Sequence, residues 1–160
     1  MSSFNLKNAV LKIKDGTSTP LSLTVKMGEG NLTYSEKKPR IYIKNRGHLD
    51  DVEDGDDEPM EVSFEGKWNF LLSVTGEPLS IEDVLKKRGL ASSWVSSDSD
   101  PCRPYAVDLE LTFTPVCGAV DTEVILFPDF RYESLEHDAK GKTISCKGMC
   151  NATEPTVTRV

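Results

Sequence analysis

The stretch MEVSFEGKWNF (residues 60–70) alternates apolar and polar residues without interruption. Because a β-strand places successive side chains on opposite faces, this alternation predicts a strand with one face in a core. The aromatic residues Phe64, Trp68 and Phe70 all fall on the apolar face, so we expect them in the core. That face consists of Met60, Val62, Phe64, Gly66, Trp68 and Phe70, and the polar face of Glu61, Ser63, Glu65, Lys67 and Asn69.

Similar alternation recurs along the rest of the chain and predicts an all-β fold. Turn-forming sequences such as KDGT, GEGN and HDAKGK separate the alternating stretches. Many short strands at this spacing predict a β-sandwich or barrel, and 160 residues suit a single domain, residues 1–160. The other predicted strands are residues 9–14, 21–27, 31–35, 40–44, 107–115, 122–127, 130–137, 142–147 and 156–160.

One segment, SIEDVLKKRG (residues 80–89), has the pattern of a short helix instead. Ser80 can act as the N-cap, and Gly89 suits the position after the last turn. Acidic residues in the first turn and basic residues in the last turn complement the helix dipole. Apolar residues at the i, i+3 and i+4 positions predict a helix of about nine residues that lies on the sheet. These apolar residues are Ile81, Val84 and Leu85.

The charge and hydropathy of the chain exclude several classes of function. A formal net charge of −7 argues against a protein that binds nucleic acid by neutralising phosphates. The same charge suits a surface that DNA passes without adhering. No apolar run approaches the roughly 20 residues that cross a bilayer, so we expect no membrane insertion. The start, MSSFNLKNAVLKIKDG, lacks the order of a signal peptide, which predicts a protein made and first used in a cytoplasm.

Negative charge is concentrated just before and at the start of the strand at residues 60–70. Eight carboxylates occupy the twelve positions from Asp50 to Glu61. A calcium-binding loop of the EF-hand type would need an acid where Val52 stands, and a helix after the loop. We therefore expect no metal here, and we interpret residues 45–59 as a solvated loop that like-charge repulsion extends outward. Such a loop is also suited to reach a neighbouring subunit.

The four cysteines leave three alternatives open. Cys146 and Cys150 are close in sequence, whereas Cys102 and Cys117 flank a predicted strand and would lie far apart. A structural zinc site usually shows two close pairs of ligands, and only one such pair is present. A metal site and disulfides stay alternatives, and free, partly buried thiols are favoured in a reducing compartment.

No catalytic arrangement is recognisable, so we expect a protein that is not an enzyme and needs no cofactor. The two histidines, His48 and His137, stand outside any catalytic motif and are expected at the surface or in turns. The alternative function is a monomeric β-sandwich module that binds carbohydrate or calcium. Its ligand would contact Trp94, Tyr105 or the acidic loop.

Four ordered features cover most of the chain: EPMEVSFEGKWNFL (residues 58–72), SIEDVLKKRG (residues 80–89), SSDSDPCRPYAVDLELTFTP (residues 96–115) and the closing stretch at residues 123–160. The closing stretch, EVILFPDFRYESLEHDAKGKTISCKGMCNATEPTVTRV, joins a long hairpin to a terminal strand. In pattern and order these features resemble bacteriophage tail tube proteins, of the major tail protein family. The resemblance implies a β-sandwich or barrel with one flanking helix, and long loops and a hairpin that take part in ring assembly.

The resemblance also implies a function and a location. Subunits of such proteins form hexameric rings, whose strands join into an inner β-barrel, and the rings stack into a tube through which the genome passes. The tube of a contractile injection machine is a related alternative. The implied partners are further copies of the chain, other tail proteins (tape measure, terminator, baseplate or tip) and genome DNA in transit without specific binding. The implied location is the virion tail, assembled in the cytoplasm of a bacterial host.

Three groups of residues are candidates for these roles. The loop at residues 45–59 would reach an adjoining ring, and its carboxylates would meet basic patches there, which fixes register more than it adds affinity. Acids on the hairpin-forming strands would line the channel and repel phosphate. The inter-ring candidates are Asp50, Asp51, Glu53, Asp54, Asp56, Asp57 and Glu58; the basic candidates are Lys37, Lys38, Arg40, Lys86, Lys87 and Arg88; the channel candidates are Glu61, Glu65, Glu133, Glu136 and Asp138.

Overall fold

A computed structural model of the chain is an all-β fold with one short α-helix, which confirms the fold class predicted from the alternating pattern. It describes residues 9–25, 27, 30–68, 71–72, 78–114 and 122–159; Phe70 and Cys117 lie outside these residues. The strands are β1 (Ala9–Lys14), β2 (Ser22–Val25), β3 (Leu32–Ser35), β4 (Arg40–Asn45), β5 (His48–Asp54), β6 (Met60–Lys67), β7 (Leu71–Leu72), β8 (Pro78–Leu79), β9 (Val107–Phe113), β10 (Glu123–Asp138), β11 (Thr143–Cys150) and β12 (Thr156–Arg159), and the helix is α1 (Ile81–Lys86).

Eight of the strands form one antiparallel sheet. Its order is β2-β1-β9-β10-β11-β6-β3, and β12 also pairs with β10. The first half of β10 pairs with β9 along one edge and with β12 along the other. The second half of β10 pairs with β11, from Phe130 to Asp138. The long strand β10 therefore belongs to both halves of the sheet.

The two strands predicted at residues 122–127 and 130–137 are in fact the single strand β10. The sequence suggests a break at Pro128, because proline lacks the N–H of a ladder hydrogen bond. The structure accommodates the proline in a bulge, where the pairing with β9 shifts between Phe127 and Phe130. Asp129 takes a positive φ of 53° there. Its N–H donates to Asp108 Oδ1 at 3.1 Å, so a side chain replaces the strand partner.

The sheet curls around a core formed by its apolar face. Tyr34 on β3 and Phe127 on β10 have ring centroids 5.0 Å apart. In a flat sheet the two strands would be separated by three strand spacings, about 14 Å. Curling therefore closes the two halves of the sheet over one core. Its largest fully buried side chains are Phe127, Phe130, Leu11, Ile13, Leu23, Met60, Leu79, Ile81, Leu109, Ile144, Val62 and Val84.

Helix α1 begins where the sequence predicts and ends earlier. The Ser80 side chain caps it by accepting a hydrogen bond from the Asp83 N–H at 3.3 Å, and Ile81, Val84 and Leu85 are buried as predicted. The helix has six residues, because Lys87 adopts the left-handed conformation with φ 54°. Gly89, predicted to follow the last turn directly, instead begins a short 3-10 turn (Gly89–Ala91) with φ 60°.

The prediction of an acidic loop at residues 45–59 is wrong for residues 48–54, which form the strand β5. Strands β4 and β5 are a separate two-stranded sheet, joined by Arg46 and Gly47 with φ values of 51° and 81°. Two positive φ angles in a two-residue connection match the twist of a β-hairpin. The carboxylates of β5 do not repel one another into an extended loop, because the cations of β4 lie beside them. One of these cations, Arg40, forms an ion pair with Asp54. Residues 55–59 keep no regular structure.

The burial of the two tryptophans differs from what the sequence predicts. Trp68, expected in the core, has 37% of its surface exposed, while Trp94, a candidate ligand contact in the binding-module alternative, is buried at 2%. The pairing of β6 with β11 ends at Lys67 and Thr143, so Trp68 lies beyond the last pair of this ladder. The Trp68 ring packs on His137 instead, with centroids 4.7 Å apart.

Candidate assembly surfaces

The hairpin of β4 and β5 contributes nothing to the core. All thirteen of its strand residues are exposed. Large apolar side chains are among them: Tyr42 is 64% exposed, Leu49 72% and Val52 52%. At its base the Gly55 N–H donates to the Pro39 carbonyl at 2.8 Å, which ties the two strand ends together. The hairpin is therefore a defined element whose apolar surface is exposed in the part of the subunit that the structure describes.

The inter-ring candidates divide between this hairpin and the segment after it. Asp50, Asp51, Glu53 and Asp54 lie on β5, and the other three precede β6. The segment at residues 54–57 lines one side of a cleft of about 310 Å³, and residues 36–39, which include Lys37 and Lys38, line the other side. Two of the basic candidates, Lys37 and Lys38, thus lie beside acidic candidates of the same subunit. Contact between these residues and another ring stays a prediction.

The second basic group, at the end of α1, has partners inside the subunit. Lys86 Nζ lies 6.0 Å from the ring centroid of Tyr132, and Lys87 Nζ lies 5.9 Å from that of Tyr105. Arg88 forms ion pairs with Glu82 and Asp83, each at 3.1 Å. The hydrogen bond to Asp83 raises the pKa of Arg88, so the cation is held in place by α1 itself.

Four of the five channel candidates lie on one face of the sheet. Strand register places Glu65, Ser145 and Glu136 in one row across β6, β11 and β10. Glu61 and Asp138 fall on the same face, which is opposite to the core. Glu133 is the extra residue where the register shifts between Tyr132 and Ser134. The face also carries cations, namely Lys67, Lys147 and Arg131.

The loop before β9 is organised around Asp98. Its carboxylate accepts hydrogen bonds from the Asp100 N–H at 3.0 Å and from Arg131 Nη2 at 2.8 Å. These two bonds and the neighbouring Arg103 lower the pKa of Asp98. Arg131 Nε also donates to the Pro104 carbonyl at 2.9 Å. The SDSDP sequence, with aspartates two residues apart, was the available signal for such a turn.

The residues of the binding-module alternative do not form a ligand platform. Trp94 is buried in the core. Tyr105 is packed against the core, and its hydroxyl donates to the Val84 carbonyl at 3.1 Å. Burial raises the pKa of Tyr105, so the phenol stays protonated. An aromatic surface for a sugar ring therefore cannot be made from these two side chains.

Cysteines and histidines are dispersed in the described part of the chain. Cys102 is an exposed free thiol, and Cys146 and Cys150 are buried free thiols whose pKa values burial raises to about 12. His48 is exposed on β5, and His137 Nε2 lies 3.1 Å from Glu82 Oε2. Within residues 9–25, 27, 30–68, 71–72, 78–114 and 122–159, no group of three or more His, Cys, Asp or Glu is arranged to hold a metal ion.

Comparison with solved structures finds a similar fold in a component of a contractile injection system. The chain superimposes on the sheath/tube terminator of the extracellular contractile injection system PVC, solved by cryo-electron microscopy in its extended state, with a TM-score of 0.55. The match covers 99% of this chain and 98% of the terminator chain, at 10% sequence identity. The fold is therefore like that of a sheath/tube terminator of a contractile injection system.

Sequence comparisons do not extend this likeness. No protein-family model matches the chain, and no curated protein matches it. None of the helices in the described residues has the length and apolar character needed to cross a membrane.

Proposed function

We propose that the protein is a non-enzymatic structural subunit of a phage tail or a related injection tube, and that it assembles into rings. The observation that carries this proposal is the likeness in fold to a sheath/tube terminator over almost the whole of both chains. The exposed hairpin supports it, because five large apolar side chains on it, Ile41, Tyr42, Ile43, Leu49 and Val52, are left in water by the isolated subunit.

Within such an assembly, the subunit belongs to the tube, as its resemblance to tail tube proteins implies. Its rings are hexameric and stack through a head-to-tail contact, which generates an open series. A second candidate place is the end of the tube, because the similar solved structure is a terminator. Its partners are then further copies of the chain and other tail proteins, such as the tape measure, terminator, baseplate or tip. The assembled protein lies in the tail of a virion.

The face that carries Glu61, Glu65, Glu136 and Asp138 faces the channel in this proposal. It is the side of the sheet opposite to the core. Carboxylates there repel the phosphates of DNA, so that genome DNA passes without specific binding. The cations Lys67 and Lys147 on the same face moderate this field.

Electron microscopy of the purified protein tests assembly. Negative-stain images at high protein concentration should contain rings or tubes with an open centre, and light scattering of the same sample should give the mass of one ring. Particles that stay monomeric at every concentration would contradict self-assembly and would favour the monomeric binding module.

The channel face can be tested on the same assemblies by charge reversal. The double variant Glu65→Lys and Glu136→Lys should make assembled tubes retain DNA, at least severalfold above wild type after washing, because one row then attracts phosphate. A matched control is Glu36→Lys with Glu154→Lys, which changes the net charge equally at exposed positions outside the strands. Equal retention by both variants would show that the row does not face the channel.

A further inference from the structure

The two strands of the exposed hairpin carry opposite charges. Strand β4 contains Arg40 and Lys44 and no acidic residue, whereas β5 contains four carboxylates and neither lysine nor arginine. In the described part of the chain this sheet has only these two strands, so each strand has one outer edge without a strand partner. The hairpin thus presents a basic edge on one side and an acidic edge on the other.

The backbone of the acidic edge is available for pairing. The N–H of Val52 donates to the side-chain Oδ1 of its neighbour Asp51 at 2.8 Å. An exposed edge of this kind is a template for a further strand, which would supply carbonyl acceptors in place of the local contact. On pairing, this N–H would therefore exchange its bond to Asp51 Oδ1 for a bond to a carbonyl oxygen of the added strand.

The apolar side chains give a second reason for a partner strand. Tyr42 and Val52 are direct neighbours across the hairpin, and Leu49 pairs with Lys44 on the same face. A two-stranded sheet is marginal in water, and three or more strands or a covering layer are needed for independent stability. A third strand would cover part of the surface that these three side chains expose.

We propose that the acidic edge of β5 pairs with the basic edge of β4 in a second copy of this chain, in antiparallel register. Repetition of this contact joins the hairpins of successive subunits into one continuous sheet. This contact would be a joint between the subunits of the proposed rings. It rests on the proposed function only in assuming that copies of the chain meet.

Charge selects this arrangement over a two-fold dimer. A two-fold contact would pair β5 with β5 or β4 with β4, which places like charges on adjacent strands. A contact of β5 with β4 places Asp50, Asp51 and Glu53 beside Arg40 and Lys44 of the next copy. Because β4 and β5 are antiparallel, this joint keeps every hairpin pointing the same way. That is the geometry of a ring or a helical series.

Charge reversal of each edge tests the joint in the full-length protein. One variant carries Asp51→Lys and Glu53→Lys, and the other carries Arg40→Glu and Lys44→Glu. Sedimentation velocity at low ionic strength should show that each variant alone needs on the order of tenfold more protein to associate. An equimolar mixture of the two should associate like wild type, because each acidic edge then meets a basic one. The matched control, Glu36→Lys with Glu154→Lys, changes the same charge at exposed positions outside the strands and outside the candidate groups, and should associate like wild type.

A backbone test separates strand pairing from general attraction. Val52→Pro removes the outward N–H and should abolish association, whereas Val52→Thr keeps this N–H and should retain it. Circular dichroism of each variant checks that the subunit is folded. In about 1 M salt, where the screening length is about 3 Å, the difference between the charge variants should disappear while the proline effect persists.

Each result bears on the joint separately from the ring function. Wild-type protein that stays monomeric at low ionic strength overturns the joint, since both edges are exposed in every copy. Rings or tubes that form equally well from all hairpin variants overturn the joint and leave the ring function standing. Hairpin-dependent association into particles without a channel supports the joint and contradicts the ring function.

Discussion

Replacing Gly148 with alanine should destabilise the fold by about 3 kcal/mol, because the new methyl group has no space. A Cβ at this position of β11 would lie 2.1 Å from the backbone oxygen of Arg131 and 2.8 Å from Cζ of Phe130. A backbone oxygen cannot rotate away as a side chain can, so β10 and β11 must separate to admit the methyl group. Equilibrium urea unfolding followed by circular dichroism should show a lower midpoint with an unchanged slope.

Gly141 provides the matched control for this experiment. A Cβ there would lie 2.7 Å from Oδ2 of Asp138, which is the free end of a side chain in an exposed turn. This carboxylate also accepts hydrogen bonds from the N–H groups of Lys140 and Gly141, each at 3.1 Å. Because it is an exposed side chain that can shift at the expense of these bonds, Gly141→Ala should cost about 1 kcal/mol, less than Gly148→Ala. Equal midpoints for the two variants would mean that β10 and β11 are not as close at Gly148 as described.

The second large effect concerns the tryptophans. Trp94→Ala should lower the free energy of unfolding by about 3–5 kcal/mol, because it removes a buried aromatic side chain and leaves a cavity. Trp68→Ala should cost much less, about 1 kcal/mol, since that side chain is 37% exposed and loses mainly its contact with His137. Urea unfolding monitored by far-UV circular dichroism measures both values without relying on tryptophan emission.

Single-tryptophan variants provide an independent check. With Trp68→Phe, the emission that remains comes from Trp94 and should be blue-shifted, as in an apolar environment. With Trp94→Phe, the emission of Trp68 should be red-shifted by water. The reverse order of the two spectra would restore the arrangement that the sequence pattern predicts.

The sequence could predict the strands from their alternation and the helix N-cap from Ser80, because both depend on residues that are close along the chain. Ser80 caps α1, and Met60, Val62 and Phe64 face the core as their spacing indicates. The pattern could not predict where a ladder ends, because that depends on a partner far along the chain. Trp68 continues the alternation of β6 but lies beyond the last pair with β11.

Two further errors have local causes. Pro128 reads as a strand break, and only the bulge with Asp129, whose N–H is bonded to Asp108, lets β10 continue through it. In the acidic stretch the charge density predicts a loop, although Arg46 and Gly47 form the two-residue connection of a hairpin. For the candidate surfaces, the sequence could supply the charged residues but not their separation onto two strand edges. That separation depends on the register of β4 with β5.

The order of pairing in the sheet has a consequence for how the chain is made. Strand β1 pairs with β9, which is synthesised about a hundred residues later. Strand β6 likewise pairs with β11, near the end of the described chain. Sheets built from such distant partners fold slowly, in milliseconds to seconds. The hairpin of β4 and β5 needs only adjacent residues and can form while the ribosome is still extending the chain. A prematurely terminated product would therefore contain the charged hairpin in a marginally stable form, without a folded body behind it.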